Sequence, residues 1–279
     1  MFKNMLIETK RVTNIVKDKK MGLNGKQLDL SDKLRRELGD SLEYRAKDIE
    51  SIVLPDDKKN ENFAVVEVKA CDSCDIHDDN ERVAVLNFAS SKHPGGGFVT
   101  GAVAQEESIC YRSNLYFDLA EHEQFYNENK QNLNKSLYLD GIIYSKNICV
   151  FRDKKLSNCE PYLVDIITCA APNASAAKRS GVSIEKINET MERRIDQVFK
   201  VAIKHNVDHL VLGAFGCGVF GNSPEYVAEL MYRAIYDKGY GKYFKKITFA
   251  MHDSMSANTK AFVKQFKWGR IETWVELWK

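Results

Sequence analysis

Residues His93 to Glu107 read HPGGGFVTGAVAQEE, and the rest of the chain is interpreted outward from this stretch. Three consecutive glycines, Gly95 to Gly97, follow an apolar run, and the adjacent acids Glu106 and Glu107 come after them. Glycine permits positive φ and a close approach of the backbone to a ligand, but it costs conformational entropy on folding. The segment is therefore a better candidate for a ligand-contacting loop than for core packing, and the two acids are candidate proton donors.

The composition limits the class of protein. The 279 residues include 41 basic and 39 acidic ones, a net charge of +2, and 44% are apolar, which predicts one large domain with a sizeable core. A near-neutral chain argues against a broad nucleic-acid-binding face. No apolar run approaches the roughly 18 to 20 residues of a membrane span. Seven cysteines and an N-terminus without a signal-peptide pattern lead us to expect a cytoplasmic protein.

Short β-rich runs bounded by polar residues recur from Phe63 onward. The predicted strands are 63–68, 83–88, 162–168, 210–215 and 246–251. Apolar residues recur every three or four positions from Ile184 to about His205, which predicts a helix. Strands that alternate with such helices indicate an α/β sheet with helices on both faces.

The first 60 residues are rich in charges and helix formers, and we interpret them as an N-terminal helical extension packed on a main domain of residues 61–279. Within the extension, a polar cap candidate at Ser31 and a stop at Gly39 predict a helix over 31–39. The basic pair Arg193-Arg194 is interpreted as solvated surface.

A second glycine cluster, Gly216-Cys217-Gly218-Val219-Phe220-Gly221, lies between a predicted strand and a helix that begins near Ser223. It matches the G-x-G-x-x-G pattern of dinucleotide-binding folds, but it stands late in the chain and lacks their acidic residue about 20 positions on. Free N–H groups at a helix N-terminus suit a diphosphate. Phe220 is then placed to stack on a base or border a ribose, unless it is an ordinary core residue.

Both glycine clusters follow strands, so they can meet at the carboxyl ends of those strands. Glu106 and Glu107 fall in the first turn of a helix predicted from Gln105, where successive side chains point about 100° apart. The paired acids of most glycosidases bracket the scissile bond about 5 to 10 Å apart, which adjacent helical residues do not easily achieve. A single glutamate acting first as acid and then as base fits better, while the other orients a neighbouring group. The helix N-terminus favours an ionised acid, whereas burial and a bound diphosphate favour the protonated form that we expect in the complex.

Three segments together resemble the poly(ADP-ribose) glycohydrolases, in the short bacterial type built on a macrodomain. They are Leu86–Ser90 with Pro94–Gly97 and Gln105–Glu107, residues 165–173, and residues 213–222. The resemblance covers most of the chain from Phe63. It implies a three-layer α/β/α macrodomain with a mixed sheet, which binds ADP-ribose and hydrolyses the ribose–ribose O-glycosidic bond of poly(ADP-ribose) to release ADP-ribose. We expect the substrate's own diphosphate to help stabilise the oxocarbenium ion.

The resemblance also implies roles for individual residues. Glu107 is the catalytic acid, and Glu106 and Gln105 hold the terminal riboses beside it. Asn87 lies near the distal ribose, unless it is a buried strand amide. The loop residues that contact the diphosphate and distal ribose are Gly95, Gly96, Gly97, Gly216, Gly218, Val219, Phe220, Gly221 and Asn222.

We expect no cofactor and no metal. Cys71-x-x-Cys74-x-x-His77 has ligand-like spacing, but a structural zinc needs a fourth ligand. The expected partners are ADP-ribose, poly(ADP-ribose) and ADP-ribosylated proteins, with the chain acting as a monomer. Two other functions remain open: hydrolysis of mono-ADP-ribosylated protein, and ADP-ribose binding without catalysis. A pure binding module has no need of Glu106 and Glu107, so the sequence favours turnover.

Overall fold

The computed structural model describes residues 2–35, 40–132 and 134–267. The strands are β1 (Lys20–Leu23), β2 (Lys26–Asp29), β3 (Ser41–Arg45), β4 (Val65–Ala70), β5 (Val83–Phe88), β6 (Gly141–Arg152), β7 (Asn158–Cys169), β8 (His209–Leu212) and β9 (Lys246–Met251). The helices are α1 (Phe2–Asp18), α2 (Ala46–Glu50), α3 (Gln105–Arg112), α4 (Leu115–Leu119), α5 (Glu123–Gln131), α6 (Ala174–Arg179), α7 (Ile184–Lys204), α8 (Pro224–Tyr232) and α9 (Ala257–Lys267).

A seven-stranded mixed sheet runs through the centre of the fold in the order β3-β6-β7-β5-β8-β9-β4. The strands β7, β5, β8, β9 and β4 run parallel to one another, whereas β6 is antiparallel to both β3 and β7. β1 and β2 form a separate antiparallel hairpin. The five strands predicted from the sequence correspond to β4, β5, β7, β8 and β9.

Helices cover both faces of the sheet. Because successive side chains of a strand point to opposite sides, each strand can contribute to a core on each face. Ala84 and Leu86 of β5 enter a core shared with α7, α8 and α9, whereas Val83 and Val85 enter a second core shared with α1, α3, α4 and α5. Two cores on one sheet make three layers. The predicted α/β/α architecture with a mixed sheet is confirmed.

The N-terminal 60 residues differ from the helical extension that was predicted. Among the described residues of this region, α1, α2 and a short 3-10 turn at Asp56–Lys58 are helical, whereas β1 and β2 pair as a hairpin and β3 joins the main sheet beside β6. Val12 and Met21 are buried in the core that α3 shares, so α1 and β1 pack into the same core as the helices of the main sheet. These short strands escape a periodicity analysis because each is only four or five residues long and half exposed.

Two further local features differ from the sequence analysis: one predicted helix does not begin where expected, and one strand was not predicted. Ser31 does not start a helix, because its N–H and hydroxyl both bond to Asp29 Oδ1 in a turn that ends β2; residues 36–39 of the predicted helix lie outside the described residues. β6 was not predicted, since Ser145, Lys146 and Asn147 interrupt its apolar pattern. The strand register shifts at that point, and Asn147 has a φ of 54°.

The edge of the sheet at the carboxyl end of β5 has an opening. β5 pairs with β8 only as far as Val85 and Val211, although β5 continues to Phe88. Beyond that point β8 ends at Leu212 and the two chains separate toward the two glycine clusters. An open α/β sheet binds ligands where neighbouring strands part in this way.

None of the helices in the described ranges combines the length and the apolar character that crossing a membrane requires.

Arg194 of α7 is fully buried, which differs from the solvated position that was predicted for it. Its Nε donates to Asp140 Oδ1 over 2.6 Å, and its remaining nitrogens donate to the carbonyls of Leu137, Tyr138 and Ala170. Burial raises the pKa of the Asp140 carboxyl, but the two neighbouring arginines outweigh it and hold that pKa below its ordinary value. Arg194 thus fixes the loop before β6 against the end of β7.

Arg194→Met should lower the free energy of unfolding by about 3 to 5 kcal/mol, because it leaves the partly buried Asp140 carboxylate short of a partner and three carbonyls without their donor. The matched control is Arg193→Met. Arg193 bonds to the other oxygen of Asp140 but is 41% exposed, so its loss should cost under about 1 kcal/mol. Urea denaturation measures both, and equal costs would contradict the distinction.

Candidate active site

Gln105, the first residue of α3, fixes the start of this helix to the end of β5. Its amide oxygen accepts from Phe88 N–H over 2.8 Å, and its amide nitrogen donates to Leu86 O over 2.9 Å. These backbone groups stand where β5 has no pairing with β8. Both ends of the Gln105 amide are thereby engaged, which favours a positioning role over the ribose contact implied by the resemblance.

Glu106 lies 3% exposed beneath the loop that follows β5. Its Oε2 accepts from Ser90 N–H over 2.7 Å, and its Oε1 accepts from Asn87 Nδ2 over 3.3 Å. Burial raises the pKa of Glu106 to about 8; Ser90 N–H, Asn87 and Gly95 N–H oppose the rise, and Glu107 adds to it. Both oxygens of this carboxyl are therefore occupied by protein donors.

Glu107 is held differently. It is 7% exposed, and its Oε1 accepts from Gly97 N–H over 2.7 Å. Its Oε2 is buried and has no hydrogen-bond partner among the described residues. Asn87, fully buried on β5, also has an unpaired acceptor. Its Nδ2 donates to Glu106 and Thr168, while its Oδ1 has no hydrogen-bond partner among the described residues. Two unpaired acceptors thus remain at the opening in the sheet.

Contacts inside the protein require the triple glycine. A Cβ on Gly96, whose φ is +57°, would overlap Glu107 Oε1 and lie 2.9 Å from Glu106 Oε2. A Cβ on Gly95, at φ +63°, would lie 2.9 Å from the Tyr116 ring, and one on Gly97 would lie 2.5 Å from Ala102 Cβ. Gly96 therefore lets both carboxylates press against the loop backbone, while Gly95 and Gly97 leave room for Tyr116 and Ala102.

Few N–H groups of this first loop are free for a diphosphate. Gly96 N–H donates to His93 O, Gly97 N–H donates to Glu107, and Gly95 N–H is close enough to lower the pKa of Glu106. The loop serves mainly to hold the two acids.

In the second glycine loop, residues divide into a structural base and an open tip. Asn222 Nδ2 donates to the carbonyls of Pro172 and Gly216, both over 2.9 Å, so its amide holds the base of the loop. Gly216 and Gly221 have φ values of +71° and +67°, and a Cβ on either would collide with its neighbours. Gly216, Gly221 and Asn222 therefore shape the loop. The resemblance implied instead that they contact the ligand directly.

The tip is the part that faces open space. Gly218 has no atom within 4 Å of the position a Cβ would take, and Val219 is 89% exposed. Within the described part of the chain, the N–H groups of Gly218, Val219 and Phe220 donate no hydrogen bond. Such a run of free N–H groups is suited to an anion. The sequence analysis predicted that the two loops meet at one edge of the sheet, and the structure agrees. It did not predict the division of the second loop into a structural base and an open tip.

Two residues of the site were given no role in the sequence analysis. Tyr138 lies 6.1 Å from Phe220 between ring centroids, in a loop before β6 with positive φ at Lys135, Ser136 and Tyr138. Ser90 gives its N–H to Glu106. Ser90 lies in the Leu86–Ser90 segment that carries the resemblance, whereas only the clustering of turn-forming residues around 132–140 could have drawn attention to the loop of Tyr138.

All seven cysteines are unpaired thiols. Among the described residues, no three or more His, Cys, Asp or Glu side chains are grouped so that they could hold a metal ion. His77, from the ligand-like Cys71-x-x-Cys74-x-x-His77 spacing, stacks on Tyr162 with 3.7 Å between ring centroids.

Comparison with known proteins assigns the chain to a family. The family model for the catalytic domain of microbial-type poly(ADP-ribose) glycohydrolase (PARG) matches residues 9–153. The chain belongs to the microbial-type PARG family.

Solved PARG structures agree with the fold. PARG from Thermomonospora curvata is 30% identical with a TM-score of 0.84, and the match covers 94% of this chain and 99% of that one. The same enzyme bound to the inhibitor ADP-HPD gives a TM-score of 0.81. PARG from Deinococcus radiodurans in complex with ADP-ribose is 31% identical with a TM-score of 0.73, covering 84% and 99% of the two chains. A search of curated proteins found no match.

Gly96→Ala should nearly abolish turnover in this PARG, because the added methyl would displace Glu107 and the positive φ strains any side chain. Gly22→Ala is the control, since nothing lies within 4 Å of its Cβ position. Release of ADP-ribose from poly(ADP-ribose) checks both. A Gly96→Ala enzyme with the activity of the control would show that the close approach of the acids is dispensable.

The contribution of Glu106 to the free energy of unfolding should decrease as the pH rises. Its pKa of about 8 exceeds the ordinary 4.5, so between these values the folded protein holds a proton that the unfolded chain has lost. The stabilisation is complete below about pH 4.5 and is lost as the pH rises through about 8. We expect the difference in unfolding free energy, wild type minus Glu106→Gln, to fall over this range in urea denaturation. A difference independent of pH would contradict the raised pKa.

Proposed function

We propose that Glu107 carries out both proton transfers in the hydrolysis of poly(ADP-ribose), while Glu106 positions the substrate and the first loop. The chain is a glycosidase of the PARG family and cleaves the ribose–ribose O-glycosidic bond to release ADP-ribose. Its residue-level chemistry is inferred from the geometry of the site.

The unpaired Oε2 of Glu107 carries the assignment. A carboxyl that transfers a proton needs one oxygen within hydrogen-bond reach of the reacting atom. Both oxygens of Glu106 accept from protein groups, whereas Glu107 uses only Oε1, on Gly97 N–H. A buried acceptor without a partner costs free energy, so a substrate group that bonds to Oε2 would recover that cost.

The reaction then proceeds in two steps. Glu107 donates its proton to the glycosidic oxygen as the bond from that oxygen to the anomeric carbon breaks, which leaves an oxocarbenium ion and a free ribose hydroxyl. The resulting carboxylate accepts a proton from water while the water oxygen bonds to the anomeric carbon. Glu107 is protonated again at the end. The substrate's diphosphate, being anionic, helps to stabilise the positive charge between the two steps.

The tip of the second loop is our candidate for the diphosphate site. Three consecutive N–H groups from Gly218 to Phe220 have no partner in the described chain and are free to donate to phosphate oxygens. Asn87 Oδ1, buried and unpaired, would accept a ribose hydroxyl. ADP-ribose, present in the Deinococcus radiodurans complex, is the ligand that we propose for this cleft.

We propose further that the protein acts as a monomer in the cytoplasm on poly(ADP-ribose) and ADP-ribosylated proteins. Seven unpaired thiols support a reducing compartment. A near-neutral chain supports local recognition of the polyanion rather than a broad basic face.

Glu107→Gln should lower kcat for release of ADP-ribose from poly(ADP-ribose) by about 10² to 10⁴, because it removes the acid and base. It should still bind ADP-ribose, which isothermal titration calorimetry measures. Glu185→Gln is the matched control: this glutamate also lies in the first turn of a helix, α7, but it is exposed.

The same assay separates the alternatives. A Glu107→Gln enzyme as active as wild type would refute the assignment of the acid. Wild type that binds ADP-ribose but releases none from the polymer would indicate a binding module. Release from mono-ADP-ribosylated protein alone would indicate the mono-ADP-ribosyl hydrolase.

A further inference from the structure

A short turn at residues 98–102 connects the triple glycine to α3, and its carbonyls are held from outside the loop. Tyr111 Oη lies 3.0 Å from Ala102 O and 3.3 Å from Phe98 O, so its single hydrogen is shared between them. Thr9 Oγ1 donates to Phe98 O over 2.8 Å. The Phe98 ring is fully buried against Tyr111 and Tyr116. Both ends of the turn are therefore fixed.

This turn is bonded directly to the group that holds Glu107. Ala102 N–H donates to Gly97 O over 3.0 Å, and Phe98 is the next residue after Gly97. Gly97 N–H in turn donates to Glu107 Oε1. Tyr111 lies one helical turn after Glu107 on α3, so the helix that carries the acid also holds the loop that orients it.

Helix α1 contributes the Thr9 bond from outside the three segments that carry the sequence resemblance. Glu8, the residue before Thr9, is paired with the buried Arg152. Arg152 also donates to Tyr111 O over 3.1 Å. The N-terminal helix is thus fastened to α3 and to the turn at the same time.

We propose that Thr9 and Tyr111 are positioning residues for the hydrolysis: their hydroxyls fix the turn 98–102 so that Gly97 N–H keeps Glu107 aimed at the glycosidic oxygen. The inference rests on the proposed role of Glu107. On this proposal the N-terminal helix α1 helps to position the catalytic acid, although neither hydroxyl touches the substrate.

The test compares Thr9→Val and Tyr111→Phe with wild type in steady-state release of ADP-ribose from poly(ADP-ribose). Each variant removes one hydroxyl and keeps the volume of the side chain nearly unchanged. We expect kcat to fall about three- to tenfold in each, the value of one hydrogen bond, with KM within about twofold. The double variant should lose less than the product of the two, because both hydroxyls act on Phe98 O.

Two further variants separate positioning from general stabilisation. Thr9→Ser keeps the hydroxyl and should retain wild-type kcat. Thr13→Val is the matched control, because Thr13 lies one turn further along α1 and donates only within the helix, to Thr9 O over 2.8 Å. It should leave both kcat and KM unchanged, and thermal unfolding of every variant measures the loss of stability alone.

Wild-type kcat in Thr9→Val and Tyr111→Phe would overturn the proposal. A fall in kcat of equal size in Thr13→Val would overturn it too, since the effect would then belong to the helix as a whole. Failure of the proposed function gives a different result, because Glu107→Gln would then be as active as wild type whatever the Thr9 variants do.

Discussion

Gln105 bonds through its side chain to Leu86 O and Phe88 N, at the point where β5 has lost its pairing with β8. An unpaired strand end would otherwise leave these two backbone groups without partners, at a cost of about 1 to 3 kcal/mol each where they are buried. By satisfying them, Gln105 fixes the first turn of α3 directly above the opening in the sheet. Glu106 and Glu107 follow immediately in the chain, so the position of both acids depends on this amide.

The triple glycine shows how one observation can support two explanations. From the sequence, the glycines were expected to let a sugar-phosphate approach the backbone. In the structure, Gly96 is needed because the carboxylates of Glu106 and Glu107 already occupy the space of a side chain. The free N–H groups that suit a diphosphate lie instead at the tip of the second loop. The first loop holds the acids, and the second loop carries the free N–H groups that we propose as the diphosphate site.

Much of the fold and of the site could be predicted because the signals are local. The strands β5 and β9 are short β-rich runs bounded by polar residues, and α7 has apolar residues every three or four positions. The triple glycine stands at a specific spacing from Gln105. The roles of Gln105 and Asn222 could not be predicted, since a polar side chain beside a glycine loop reads as a ligand contact until its backbone partners are known. Arg194 was misread for the same reason: its burial depends on Asp140, 54 residues away in the chain. The Thr9 contact with Phe98 spans 89 residues.

Two glutamates in one helical turn differ because of what surrounds each of them. Both lie at the N-terminus of α3, where the helix dipole favours negative charge. For Glu106, burial outweighs the three donors that favour its charged form, and its pKa is raised to about 8. Glu106 can therefore remain neutral beside Glu107 at neutral pH, so no like charge opposes the carboxylate that Glu107 becomes after it gives up its proton. With its partner neutral and Gly97 N–H on one oxygen, Glu107 has its other oxygen free, which makes adjacent acids compatible with a mechanism that uses only one of them.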